Sequence, residues 1–127
     1  MKILHLSNVY DQDRGGGIHE VVSNLFINQK DTNLEPHIWY YRGRRPLSDG
    51  NCNIKALKFL LSPKFGILKD LIFRKKGDYQ FKVIHQHGIW LTNSLLTSQL
   101  KKGYSIPTII QPHGFLEPYS RSISKLK

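Results

Sequence analysis

Apolar residues recur along this chain in short runs that are separated by polar and glycine-containing segments. Runs rich in aromatic and β-branched residues predict strands over residues 2–9, 35–41, 82–87 and 107–111. A further apolar run over residues 54–61 favours another strand, although a run of that length also permits a helix. These runs supply the strands of a sheet, and the segments between them decide which kind of sheet it is.

The segments between the strands carry apolar residues at helical spacing. Residues 18–31 and 90–102 predict amphipathic helices, and Gly103 is placed as the C-terminal cap of the second. Residues 63–76 predict another helix, and residues 119–127 are typical of the first turns of one more. Strands that alternate with helices indicate βαβ units. We therefore predict an α/β fold, a single Rossmann-like domain with a parallel sheet flanked by helices.

Three polar segments follow predicted strands and should meet at one edge of the sheet. The loop over residues 11–17 follows the first strand, and the pairs His87-Gly88 and His113-Gly114 follow two later strands. Ligands of parallel α/β sheets bind outside the carboxyl ends of the strands. We therefore expect these segments to form one binding site.

The first of these segments contains a run of three glycines just before the first predicted helix. Gly15, Gly16 and Gly17 would let backbone amides approach a ligand, and the helix N-terminus adds partial positive charge. This arrangement suits a phosphate or a sugar hydroxyl. The dinucleotide fingerprint is not matched, because Glu20 occupies its third glycine position. A turn without a ligand is the alternative interpretation.

Three histidines lie at the ends of predicted strands. His85 and His87 share one face of their strand, so a metal site formed with His113 is one hypothesis. No carboxylate or cysteine lies near them at ligand spacing, and we predict neither a metal nor another cofactor. We expect His85 to be an interior residue with its hydrogen bonds satisfied. The glycines after His87 and His113 should expose both imidazoles in the cleft, where they can bind a sugar hydroxyl or a phosphate.

The charge of the chain narrows the class of partner. Nineteen Lys and Arg against nine Asp and Glu give a net charge of +10, and ten of the basic residues lie within residues 42–76. Such a surface attracts phosphate, although solubility alone also explains it. The basic helix predicted at residues 63–76 suits peripheral contact with an anionic membrane, or simply covers the sheet. No recognition motif accompanies the charge, so we predict no nucleic-acid partner.

Cysteine content and hydropathy indicate the compartment. Cys52 is the single cysteine, which excludes an internal disulfide and favours a reducing cytoplasm. No apolar run is long enough to span a bilayer, and the N-terminus does not have the pattern of a signal peptide. We therefore expect a cytoplasmic protein, with peripheral contact at the inner membrane as an option.

Four blocks of sequence together resemble the N-terminal half of family 4 glycosyltransferases. In order they are MKILHL, GGGIHEVV, VIHQHGIW and PTIIQPHGFLEPY, of which the last two are the most specific. The resemblance covers nearly the whole chain and is weakest over residues 42–82. It implies one half of a GT-B enzyme, in which two Rossmann-like domains enclose a cleft. Such enzymes transfer a sugar from a nucleotide donor to an acceptor, retain the anomeric configuration and need no bound metal.

The resemblance also implies roles for individual residues. His113 would contact the transferred sugar as the catalytic-site residue, and the glycine run would face the donor phosphates or the acceptor. The remaining positions would shape the substrate site on the acceptor side: His87, Gly88, Gly114, Glu117 and Arg121.

We expect residues 1–127 to be the truncated acceptor-side domain, without the C-terminal donor-binding domain. The expected function is synthesis of a cell-surface polysaccharide such as lipopolysaccharide, with a glycan or lipid-linked acceptor. One alternative is a stand-alone module that binds an anionic glycan or nucleotide, or an inactive gene remnant. Another is a metal-dependent hydrolase that uses His85, His87 and His113.

We predict that residues 1–127 alone do not transfer sugar, because the donor-binding half of the site would be missing. A radiolabel transfer assay with a panel of nucleotide sugars and glycan acceptors checks this prediction. Turnover by the isolated chain would contradict it.

Overall fold

The computed structural model describes residues 1–11, 16–42, 53–57, 80–89 and 92–114. Within these ranges the chain forms strands β1 (Lys2–Val9), β2 (Glu35–Arg42), β3 (Ile54–Ala56), β4 (Phe81–His87) and β5 (Thr108–Gln111), and helices α1 (Gly16–Lys30) and α2 (Thr92–Tyr104). The predicted helices at residues 63–76 and 119–127 lie outside the described residues.

The five strands form one sheet in the order β3-β2-β1-β4-β5, and every neighbouring pair is parallel. The predicted α/β, Rossmann-like architecture is thereby confirmed. Strand β1 lies at the centre and pairs with β2 on one side and with β4 on the other. The strand order reverses at β1, which makes the carboxyl ends of β1 and β4 the topological switch point of the sheet.

Each face of the sheet packs against one of the two described helices. On one face Leu4 and Leu6 of β1 join Ile84 of β4 beneath the buried residues Leu96 and Leu100 of α2. The other face packs against α1, and its apolar cluster consists of Tyr10, Val22, Phe26, Ile38, Tyr40 and Ile54. Alternate residues of β1 therefore face different layers, as the two-residue period of a strand requires.

Two helix ends differ from the sequence predictions. Helix α1 begins at Gly16, so Gly16 and Gly17 belong to its first turn and not to the preceding loop. Helix α2 continues through Gly103 to Tyr104, whose ring packs against the core beneath α2. The prediction that Gly103 caps this helix was wrong. Ser105 ends the helix instead, because it takes the left-handed conformation (φ 55°) and donates its N–H to the Lys101 carbonyl at 2.8 Å. Packing of Tyr104 thus extends the helix past the glycine.

Neither α1 nor α2 is long and apolar enough to cross a bilayer, and the same holds for every helix within the described residues.

Neighbouring leucines on α2 provide a matched test of this packing. Leu96 is 1% exposed and Leu95 is 47% exposed. Leu96→Ala should lower the free energy of unfolding by about 2–5 kcal/mol because it leaves a cavity under α2. Leu95→Ala should change it by less than about 1 kcal/mol. Urea titration of both variants checks this, and equal losses would contradict the packing described here.

Candidate functional site

The described parts of the three segments singled out in the sequence lie at the carboxyl edge of the sheet, as predicted. Helix α1 starts at this edge after β1, and His87-Gly88 and His113-Gly114 follow β4 and β5. The Gly88 N–H donates to the Gln111 carbonyl at 2.8 Å and ties the two later segments together. The site therefore lies beside the switch point between β1 and β4, where folds of this kind bind ligands.

Left-handed backbone conformations shape both histidine-glycine turns. Gly88 and Gly114 have φ values of 85° and 79°, which residues with a Cβ rarely adopt. His113 itself has a φ of 53°, an uncommon value for a residue other than glycine. These turns end the strands abruptly and place the His113 imidazole against that of His87.

A chain of hydrogen bonds links helix α1 to His113 through two buried histidines. Gln29 Oε1 lies 2.8 Å from His5 Nε2, and His5 Nδ1 lies 3.0 Å from His87 Nε2. His87 Nδ1 in turn lies 2.9 Å from His113 Nε2. His5 and His87 are 0% and 1% exposed, so these bonds replace the water that both rings have lost.

The hydrogen-bond chain has one direction when all three imidazoles are neutral. The Gln29 carbonyl oxygen only accepts, so His5 Nε2 carries a proton and donates it. His5 Nδ1 then accepts from His87 Nε2–H, and His87 Nδ1 accepts from His113 Nε2–H. His113, the last ring of the chain, keeps its Nδ1 as a hydrogen-bond acceptor. The buried chain thus fixes which nitrogen of His113 carries the proton.

The pKa values agree with neutral imidazoles. Burial is the largest cause that lowers the pKa of His5, His85, His87 and His113. For His87 burial, together with the neighbouring histidines, lowers the pKa to about 2. These rings therefore remain uncharged near neutral pH, where they act as hydrogen-bonding groups or as metal ligands.

The exposures of the two β4 histidines are the reverse of the prediction. His87 was expected to be exposed in the cleft, yet it is buried because β1 and β5 flank its strand and His113 covers its ring. His85 was expected to be interior, yet it is half-buried beside Gln111, with which it forms a side-chain hydrogen bond. His113 is also half-buried, so of the predicted pair it is the one that a ligand can reach.

His5 joins the two β4 histidines, although no sequence motif pointed to it. His5 lies in the middle of β1 and pairs in register with His85 of β4. One ring nitrogen from each of His5, His85 and His87 lies within 4.8 Å of the others. The metal hypothesis had combined His85 and His87 with His113 instead. The alternation of residues along β1 and β4 shows which histidines share a face of each strand, but only the register between the strands places His5 opposite His85.

On the α2 side, amide side chains hold the turn after β4. Asn93 Nδ2 donates to the His87 carbonyl at 3.1 Å, and Gln86 Nε2 donates to the Gly88 carbonyl at 2.7 Å. Both amides are buried, at 2% and 0% exposure. The position of the His87 ring therefore depends on α2 as well as on the sheet.

The start of α1 borders an open cleft of about 470 Å³, lined by Gly16, His19, Glu20, Ser23 and Asn24. A Cβ added at Gly16 or Gly17 would meet no atom within 4 Å, so crowding does not explain the glycines. A glycine is required at position 16 instead by its φ of 51°.

Of the predicted site residues, Gly15, Glu117 and Arg121 lie outside the described residues.

Two buried acceptors near this edge, Asn8 Oδ1 and Gln86 Oε1, have no hydrogen-bond partner within the described residues. Asn8, the penultimate residue of β1, is 9% exposed, and its Oδ1 forms no hydrogen bond there. A buried polar atom without a partner costs stability, which is typical of positions kept for a ligand. A hydrogen-bond donor such as a sugar hydroxyl would satisfy Asn8 Oδ1.

Comparisons of the chain with protein-family models, with curated proteins and with solved structures find no match. The chemistry of the site is therefore inferred from its own residues: neutral imidazoles, a helix N-terminus and a buried amide oxygen.

The lowered pKa of His87 predicts a loss of stability in mild acid. The unfolded imidazole gains a proton below its ordinary pKa of 6.5, whereas the folded one resists protonation down to about 2. Stability is therefore complete above about pH 6.5 and falls as the pH decreases below it. His87 alone should lower the free energy of unfolding by about 2 kcal/mol between about pH 7 and pH 5.

Urea titrations in buffers with a chelator at both pH values measure this loss. His87→Gln, whose side chain does not titrate, should lose about 2 kcal/mol less over the same range. An unfolding free energy of the wild-type chain that does not change with pH would contradict a buried neutral His87.

Proposed function

We propose that this chain is the acceptor-side domain of a retaining GT-B glycosyltransferase of the family 4 type. The enzyme would transfer a sugar from a nucleotide-sugar donor to a glycan or lipid-linked acceptor in cell-surface polysaccharide synthesis. One observation carries the proposal. His113, at the end of β5, is oriented by the buried His87 beside the switch point of the sheet.

The protonation of His113 suits a sugar hydroxyl. Its Nε2–H is engaged with His87, which leaves Nδ1 as a hydrogen-bond acceptor. A hydroxyl of the transferred sugar can donate to that nitrogen. Because the ring is half-buried and its backbone is held in a left-handed turn, the acceptor is positioned before the sugar arrives.

Two further groups at the same edge complement a polar, partly anionic substrate. The N-terminal amides of α1 favour phosphate oxygens, as helix N-termini do generally. Asn8 Oδ1 offers a buried acceptor for a second hydroxyl. Together these groups would bind the acceptor and face the phosphates of a nucleotide sugar held mainly by the partner domain.

The charge of the chain supports an acceptor presented at a membrane. A net charge of +10 attracts lipid-linked or phosphorylated glycans and the anionic inner face of a bacterial membrane. The proposal therefore includes a cytoplasmic enzyme in peripheral contact with that membrane.

The same helix N-terminus and the same charge also favour a second candidate, a stand-alone module that binds an anionic glycan or nucleotide. The reading frame of the gene distinguishes the two candidates. A second Rossmann-like unit with a nucleotide site, encoded after Lys127, would support the enzyme. A reading frame that ends at Lys127 would support the module or a remnant.

The complete protein encoded by the gene provides the test of the transferase. We expect it to transfer sugar from at least one nucleotide donor to a lipid-linked or oligosaccharide acceptor. His113→Ala should lower kcat/KM by about 100-fold, because it removes a hydrogen bond at the reacting sugar.

His37→Ala is the matched control, since His37 lies on β2 near its amino end and contacts Glu35 at 3.0 Å. This variant should keep nearly the wild-type kcat/KM. Absence of transfer across the donor panel, or full activity of His113→Ala, would contradict the proposal.

A further inference from the structure

Three imidazoles converge on one point of the sheet. His5 and His85 are register partners on β1 and β4, and His87 follows two residues later on the same face of β4. The ring centroids of His85 and His87 are 4.2 Å apart, and each lies 5.3 Å from that of His5. One nitrogen from each ring lies within 4.8 Å of the other two.

Each of these rings has a further hydrogen-bond partner, and for His5 and His87 that partner binds the nitrogen that faces away from the convergence point. His5 Nε2 bonds Gln29, and His87 Nδ1 bonds His113. His85 forms a side-chain hydrogen bond with Gln111. Histidines that bind metals show this arrangement, in which an outer partner fixes the ring while the inner nitrogen faces the ion.

The environment keeps these nitrogens available to a cation. Burial lowers the pKa of all three imidazoles, so each ring is neutral near pH 7 and has one nitrogen with a free lone pair, which at His87 reaches the inner side through a change of tautomer. Charged imidazolium rings in this position would repel a cation.

We propose that His5, His85 and His87 form a binding site for one divalent transition-metal ion of the zinc class. Imidazole nitrogen is a preferred ligand of Zn²⁺, and three histidines leave the fourth tetrahedral position for water or an exchangeable ligand. The half-buried His85 is the least enclosed of the three and marks the side from which that ligand would come. The site goes beyond the proposed transferase and does not depend on it.

Ion binding would be coupled to His113 through the proton that His5 and His87 share. His5 Nδ1 and His87 Nε2 are 3.0 Å apart with one proton between them, and the ion takes the place of that proton. The His87 proton then resides on Nδ1, which donates to His113 Nε2. His113 must in turn carry its proton on Nδ1. The rings of His5, His87 and His113 together keep all their protons, and the proton of His113 moves from Nε2 to Nδ1.

Titration of the untagged, metal-free chain with Zn²⁺ and with Co²⁺ tests the site. We expect one equivalent of either ion to bind with a dissociation constant below about 10 μM, and the Co²⁺ complex to show the visible absorption of a tetrahedral ion. His85→Gln should abolish the absorption. His37→Gln removes a histidine outside the cluster and should leave it unchanged.

A substitution of Gln29, the outer partner of His5, distinguishes weakened metal binding from loss of the fold. Gln29→Ala, on the partly exposed side of α1, should weaken Zn²⁺ binding by about 10–100-fold while circular dichroism shows an intact fold. Zn²⁺ should raise the thermal midpoint of the wild-type chain and of His37→Gln, but not that of His85→Gln.

Absence of binding, or binding that His85→Gln retains, would overturn the proposal. Loss of binding in His37→Gln would overturn it as well, because the ion would then bind elsewhere. Failure of the sugar-transfer assay would not affect these results, since the titration measures the ion alone.

Discussion

Strand β1 is hydrogen-bonded on both sides, and this double pairing determines where the functional groups lie. Its register with β4 places His5 opposite His85, and its register with β2 places Ile38 on the other side of His5. One face of β1 contributes Leu4 and Leu6 to the core beneath α2. The other face carries His5 towards α1. A shift of one residue in this strand would exchange the two sets.

Two buried imidazoles, His5 and His87, and two half-buried ones, His85 and His113, lie near one another, and this is tolerated because each ring has a hydrogen-bond partner. An unpaired buried ring nitrogen would cost free energy, and two neighbouring charged rings would repel each other. A neutral chain from Gln29 to His113 avoids both costs and leaves one defined acceptor at the edge of the sheet. The structure therefore connects a buried, structural group of histidines to the residue best placed to meet a substrate.

Much of the fold could be predicted from the sequence. The spacing of the apolar residues located β1, β2, β4 and β5 to within one residue at each end, because apolar residues recur with different periods in buried strands and in helices. The end of α2 could not be read in the same way. Gly103 is a common cap, but packing of Tyr104 outweighed its local preference.

The candidate site was predictable only in outline. Alternating strands and helices placed His87 and His113 at one edge, and the structure brings them into contact. The contribution of His5 depends on the register between two strands far apart in sequence, which the pattern of β1 alone does not contain. The exposure of His85 and the burial of His87 likewise depend on which neighbours cover each ring.

The central claim is that a neutral, one-directional chain of histidines orients His113. Long-range ¹H–¹⁵N NMR of the histidine rings, with a chelator present at about pH 7.5, measures the protonated nitrogen of each ring directly. We expect Nε2–H tautomers at His5, His87 and His113. A charged imidazolium at His87, or an Nδ1–H tautomer at His87 or His113, would contradict it.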